Sequence, residues 1–80
     1  MDYNQDKVDE ICLALLYLRA HPDGLVMRAW KSMDWEVTDR LFEKGFIHNP
    51  KGKSKSVVFT DEGFELAKKL FEQYFSKENK

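Results

Sequence analysis

The sequence predicts a small, mainly α-helical domain that carries one two-stranded antiparallel hairpin. Apolar residues recur at helical spacing in two long segments, about residues 5–20 and 61–76. Between these segments, two β-prone runs flank nine polar or turn-forming residues, which is the pattern of a hairpin. With 80 residues and 42% hydrophobic content, the chain can form one core. We therefore expect a single domain over 1–80, frayed at about 1–3 and 77–80.

The first helix, predicted from about Gln5 to Ala20, is apolar around almost its whole middle circumference. Asn4 suits its N-cap, because an Asn side chain accepts a hydrogen bond from a backbone N–H of the first turn. One stripe at helical spacing comprises Val8, Ile11, Cys12, Leu15 and Leu18, and the apolar residues that project elsewhere are Leu13, Leu16 and Tyr17. A helix of this kind is usually buried on more than one side.

A turn and two further helices are predicted before the hairpin. Residues 21–24 contain Pro and Gly and predict a turn, and the apolar residues 25–30 predict one or two helical turns. Asp34 suits the N-cap of a third helix from Trp35 to Lys44. Gly45 is expected to end that helix in the left-handed conformation.

The hairpin and the last helix complete the predicted order. Strands are predicted at 46–48 and 57–59, and between them lies the lysine segment, residues 51–55. Thr60 suits the N-cap of the last helix, whose apolar residues cover roughly half its circumference.

The order helix, short helix, helix, hairpin, helix is the pattern of a winged helix-turn-helix. The stretch "LFEKGFIHNPKGKSKSVVFTDEGFELAKKL" resembles the end of that domain in bacterial regulators of the MarR and PadR kind. Leu41, Lys44–Ile47 and Thr60–Gly63 carry this resemblance. With its Tyr-Asn-x-x-Lys-Val start, the whole chain also resembles a small bacterial winged-helix family of unknown function. The second resemblance implies the fold and no activity.

Composition and charge exclude several classes of protein. The formal net charge of -1 gives no global attraction to DNA or anionic lipid. The single cysteine, Cys12, cannot form an intramolecular disulfide, which favours a reducing compartment. The longest apolar run, Ile11 to Leu18, falls far short of the ~20 residues that span a bilayer. These features, and the acidic residues near the N-terminus, predict a cytoplasmic protein that does not contact membranes.

Catalytic and metal-binding patterns are weak in the sequence. Cys12, His21 and His48 are scattered, without the close spacing of metal ligands. Gly52-Lys53-Ser54 mimics the end of a phosphate-binding P-loop, but the second glycine and the following helix of that motif are missing. We therefore expect no catalytic residue, metal or cofactor, and a protein that is not an enzyme.

Nucleic-acid binding is the first functional hypothesis, and it depends on cations. In a winged helix the third helix usually enters the major groove, and the wing touches the backbone. Arg40 is the expected base reader, and the expected phosphate contacts are Lys51, Lys53, Lys55, Arg28 and Lys31. Alternatively, the lysines form a solvated tip that protects strand edges from aggregation.

Protein interaction or scaffolding is the rival hypothesis. The predicted solvent face of the third helix carries Glu36, Asp39 and Glu43, which repel phosphates. The apolar terminal helices exceed what one small core covers, and winged-helix regulators commonly pair two subunits through such helices. We therefore expect a two-fold homodimer whose interface comprises Leu13, Leu16, Tyr17, Leu66, Leu70 and Tyr74. Trp30 is expected in the core, and Trp35 either in the core or as an exposed anchor.

Overall fold

A computed structural model of the chain describes residues 2–30, 35–50 and 56–77. The described residues form three helices and three strands. In chain order these are α1 (Gln5–Leu18), β1 (His21–Asp23), β2 (Val26–Trp30), α2 (Trp35–Glu43), β3 (Ser56–Val58) and α3 (Asp61–Phe75). The fold is thus mainly helical, with a small antiparallel sheet in the order β1-β2-β3.

The hairpin of β1 and β2 corrects two predictions, a turn at 21–24 and a short helix at 25–30. Asp23 pairs with Val26, so Gly24 and Leu25 form a two-residue loop. Gly24 has φ +66°, as the first loop position of a type II′ turn requires. Among the described residues, a helix, a hairpin and a helix therefore replace the predicted helical trio. A six-residue apolar window is too short for periodicity to separate helix from strand.

Strand β3 pairs mainly with β2 rather than with the predicted strand at 46–48. Trp30 pairs with Ser56 and Arg28 with Val58. The predicted 46–48 strand is reduced to an isolated bridge between Ile47 and Phe59. The lysine segment lies outside the described residues, as do Lys31 and Asp34.

The core lies between the helices and one face of the sheet. Its buried apolar side chains come from every helix, from β2 and β3, and from the bridged residues Ile47 and Phe59. The members are Leu13, Ala14, Leu16, Ala29, Val37, Leu41, Ile47, Val57, Phe59, Ala67 and Leu70.

Three predicted helix ends are confirmed. The side chain of Asn4 accepts a hydrogen bond from the Lys7 backbone N–H at 3.0 Å, and that of Thr60 accepts one from Gly63 at 2.9 Å. Gly45 has φ +83° and follows α2, where the next backbone N–H, of Phe46, bonds the carbonyl of Leu41 at 3.0 Å. This glycine-terminated exit provides hydrogen bonds to the carbonyls of Arg40, Leu41 and Phe42 near the end of α2.

Candidate functional surfaces

A buried carboxylate, Asp9 of α1, holds two cations of α2 and the loop after it. Arg40 donates from Nε and Nη2 to both Asp9 oxygens at 2.8 to 3.0 Å. Lys44 donates from Nζ to Asp9 at 2.9 Å and to the exposed Asp6 at 3.1 Å. We call these four residues the Asp9 cluster. The bidentate geometry of the Arg40 pair is the strong form of an ion pair.

The charges in the Asp9 cluster stabilise one another. Burial alone would raise the pKa of Asp9, but hydrogen bonds from Arg40 and Lys44 outweigh it and hold that pKa below its ordinary value. The hydrogen bond to Asp9 also raises the pKa of Lys44. Arg40 is bound by Asp9, and its role as a base reader stays a prediction. Its partner lies 31 residues away in sequence, beyond the reach of local pattern reading.

Arg28 lies on the outer face of the sheet, the face opposite the core. Ala29 and Val57 are buried, and strand alternation therefore turns Arg28 and Trp30 outward. Arg28 donates to Asp23 at 2.9 Å and to the hydroxyl of Ser56 at 3.0 Å. One predicted phosphate contact therefore lies on an accessible sheet face, beside an exposed acid.

Trp30 corrects a second expectation. Its predicted place was the core, yet it is 57% exposed on the outer face of the sheet. The ring of His21, from β1, lies 6.4 Å from the Trp30 ring. In sequence, Lys31 follows Trp30 and Lys55 precedes its strand partner Ser56. The two paired residues, Trp30 and Ser56, are therefore each next to a lysine in the sequence. The structure does not describe the side chain of Trp35, so its predicted place is untested.

A shallow groove lies between the β1–β2 loop and the start of α3. It has a volume of about 340 Å³. Its lining combines the apolar Met27, Phe59 and Phe64 with two carboxylates, Asp61 and Glu65. Such a lining suits an apolar group that carries a positive charge.

The burial of the four leucines on α1 is the reverse of the expected one, while Val8 and Cys12 are half-buried against the core. Leu13 and Leu16, expected in a dimer interface, are each 1% exposed in the core of the chain. Leu15 and Leu18 are instead 42% and 64% exposed. Leu70, from α3, is also buried, so these three leucines cannot form a dimer surface without unfolding.

The remaining expected interface residues, Tyr17, Leu66 and Tyr74, are half-buried against the core. The Tyr74 hydroxyl donates to Glu10 at 2.8 Å and accepts from Lys7 at 2.7 Å. The hydrogen bond from Lys7 to the Tyr74 hydroxyl raises the pKa of Lys7. Tyr74 therefore ties α3 to α1 within one chain.

Within 2–30, 35–50 and 56–77, no helix has the length and apolarity to cross a membrane. No group of three or more His, Cys, Asp or Glu side chains there has a metal-binding arrangement.

Comparisons with known proteins identify a family of unknown function. Residues 4–77 match the family described as "Domain of unknown function (DUF6429)". The uncharacterized protein y4hR of Sinorhizobium fredii (strain NBRC 101917 / NGR234) is 46% identical over 77 residues, covering 96% of this chain and 100% of the relative. No solved structure matches the chain. Neither match connects it to MarR or PadR regulators. The chain belongs to the DUF6429 family.

Proposed function

We propose that the protein binds DNA through the outer face of its sheet, with the lysine segment as a further source of phosphate contacts. The observation that carries this proposal is the pairing of Trp30 with Ser56. Trp30 is exposed and immediately precedes Lys31 in sequence, and Ser56 immediately follows Lys55. Arg28 lies two residues before Trp30 on the same face. The winged-helix interpretation is kept in a modified form, with the β1–β2 hairpin in place of the second helix.

The chemistry of this face suits a sequence-tolerant contact. Arginine and lysine bind phosphates electrostatically, and an exposed tryptophan can stack on an unpaired base. Helix α2 is a weak candidate for groove reading, because Arg40 is bound by Asp9 while Glu36 and Glu43 are exposed. The proposal therefore moves the contact from the helix to the sheet.

Fluorescence anisotropy with labelled random-sequence DNA tests the proposal. The full chain would be titrated into a duplex and a single strand, at low and at physiological salt. We expect micromolar binding that weakens steeply with salt, and tighter binding of the single strand if Trp30 stacks. Absence of binding to either probe at low salt would contradict the proposal.

A charge-matched pair of variants locates the contact. Replacing Lys51, Lys53 and Lys55 together with Ala should weaken binding and lower the salt slope by about 2.7, because each phosphate contact contributes about 0.9. Replacing Lys68, Lys69 and Lys77 with Ala removes the same charge from exposed positions on and after α3. We expect the second variant to bind nearly as the natural sequence does. Equal losses in both variants would indicate a non-specific charge effect.

The acidic face of α2 favours a second candidate, a protein-interaction or scaffold module. Glu36 and Glu43 are exposed there, and Phe42 is 42% exposed. An apolar ring beside carboxylates suits a basic protein partner better than a nucleic acid. Replacing Glu36 and Glu43 with Gln distinguishes the two, because it should weaken the binding of a basic protein partner without weakening DNA binding through the sheet face. DNA affinity should rise if α2 faces the DNA, and stay nearly unchanged if the sheet face alone makes the contact.

A further inference from the structure

Helix α1 carries an apolar seam centred on the side away from the buried Leu13, and its first member, Val8, also packs half-buried against the core. We use the term α1 seam for Val8, Ile11, Leu15 and Leu18. At 3.6 residues per turn, the seam is centred about 180° around the helix from the buried Leu13. Its exposure is greatest at Leu18. Spacings of 3, 4 and 3 residues are those of a helix-pairing stripe, in which apolar residues recur every 3.5 residues on average.

The α1 seam is symmetric about position 13. Spacings of 3, 4 and 3 read the same in both directions, so an antiparallel second copy places Val8 against Leu18 and Ile11 against Leu15. A two-fold interface needs this kind of self-complementary surface, in which each contact occurs twice.

A hollow beside the start of α1 supplies a receptor for the protruding Leu18. It has a volume of about 390 Å³ and an entirely apolar exposed surface. Its lining residues are Tyr3, Asn4, Lys7, Val8, Ile11 and Cys12. Leu18 lies ten residues beyond Val8, about 15 Å along the helix. In the antiparallel arrangement, Leu18 of each copy meets the hollow of the other.

The charges around the α1 seam are compatible with this arrangement. No ionisable side chain belongs to the seam, and the formal net charge of -1 gives two copies little reason to repel. Lys7 and Arg19 lie about 60° to opposite sides of the seam. A two-fold axis brings each side against the same side of the other copy, so Lys7 and Arg19 do not meet. The two copies of Lys7 lie about 18 Å apart along the axis, beyond the ~8 Å screening length.

The size of the α1 seam sets the strength of the contact. Three helical turns bury roughly half of the ~800 Å² per partner found in standard interfaces. Such an area suits a weak, rapidly exchanging dimer rather than an obligate one. We therefore propose that the α1 seam binds the α1 seam of a second copy in antiparallel orientation, as a weak dimer. This proposal is independent of DNA binding.

Sedimentation velocity of the full chain, from low micromolar to near-millimolar concentration, tests the dimer. We expect the weight-average sedimentation coefficient to rise with concentration. Leu18→Glu should remove the rise without unfolding the chain, because the side chain is 64% exposed. Leu25→Glu is the matched control, since Leu25 is fully exposed in the β1–β2 loop, away from the seam. A natural sequence that stays monomeric throughout would overturn the proposal, as would equal effects of the two variants.

Cysteine cross-linking tests the orientation. In a Cys12→Ser background, Ile11→Cys and Leu15→Cys would be prepared as separate proteins and mixed under mild oxidation. The antiparallel pairing predicts a mixed disulfide dimer that exceeds both same-variant dimers. Preferential dimerisation of Leu15→Cys with itself would indicate a parallel pair and overturn the antiparallel arrangement.

Discussion

The α-carbon of Gly63 lies so close to the backbone of Phe46 that a Cβ at position 63 would overlap the carbonyl oxygen of Phe46. The same carbonyl accepts a hydrogen bond from the backbone N–H of Thr60 at 3.1 Å. The Thr60 hydroxyl donates to the carbonyl of Gly45 at 2.6 Å. The exit of α2 and the start of α3 are thus one joint, which explains why Lys-Gly-Phe and Thr-x-x-Gly occur together in this chain.

Gly63→Ala should destabilise the protein by about 2 to 3 kcal/mol, because the new methyl group meets backbone that cannot rotate away. Urea unfolding followed by circular dichroism measures the change. Glu62→Ala, in the same turn but exposed, serves as the control and should change the free energy of unfolding by less than about 0.5 kcal/mol. Similar values for the two variants would show that the chain has room for a methyl group between position 63 and the backbone of Phe46.

Asp9→Asn should cost about 3 to 5 kcal/mol, because it leaves the cations of the Asp9 cluster without their buried counter-charge. Asp6→Asn is the matched acid-to-amide control on the same helix. The Asp6 side chain is 84% exposed, so its pair with Lys44 should contribute at most about 1 kcal/mol. Thermal unfolding of the two variants gives the comparison. A small loss in Asp9→Asn would mean that Arg40 and Lys44 find other partners.

Features that depend on partners nearby in the sequence were predictable, and features that depend on distant parts of the chain were not. Asn4, Thr60 and Gly45 were predictable as helix ends because their partners lie within a few residues. The inward face of α1 was not, because both faces are apolar and only the rest of the fold selects one. Asp9 held the missing signal: it shares a helical side with Leu13 and Leu16, and a carboxylate there requires a cation.

The β1–β2 hairpin shows a different limit. Its two-residue loop has Gly24 at the position that favours a type II′ turn, a local signal in the sequence. The apolar run that follows fits a short helix equally well, so pairing with β3 decides its structure. The outward direction of Trp30 follows from that pairing and had no signal of its own.

The acid sensitivity of the fold should depend on Asp9. Its pKa is lower in the folded chain than in the unfolded one, so the unfolded chain binds the proton more readily. The stabilising contribution is therefore complete above the ordinary carboxyl pKa of about 4 and is lost as the pH falls through the lower folded pKa. Urea midpoints measured from neutral to strongly acidic pH should fall less steeply for Asp9→Asn than for the natural sequence. Parallel curves would exclude Asp9 as the source.

Trp30→Ala should weaken single-stranded DNA binding by roughly 5- to 150-fold, the equivalent of about 1 to 3 kcal/mol for one stacked base. The exposed position of Trp30 implies little loss of stability, which circular dichroism would verify.

Asp23→Asn should act in the opposite direction and tighten binding by up to about fivefold, because it frees Arg28 from an exposed ion pair worth ~1 kcal/mol at most. Both affinities come from the same anisotropy titration. The loss in Trp30→Ala would separate a contact at this face from a change in overall charge, since that substitution alters no charge. Unchanged affinity in both variants would remove the sheet face from the DNA contact.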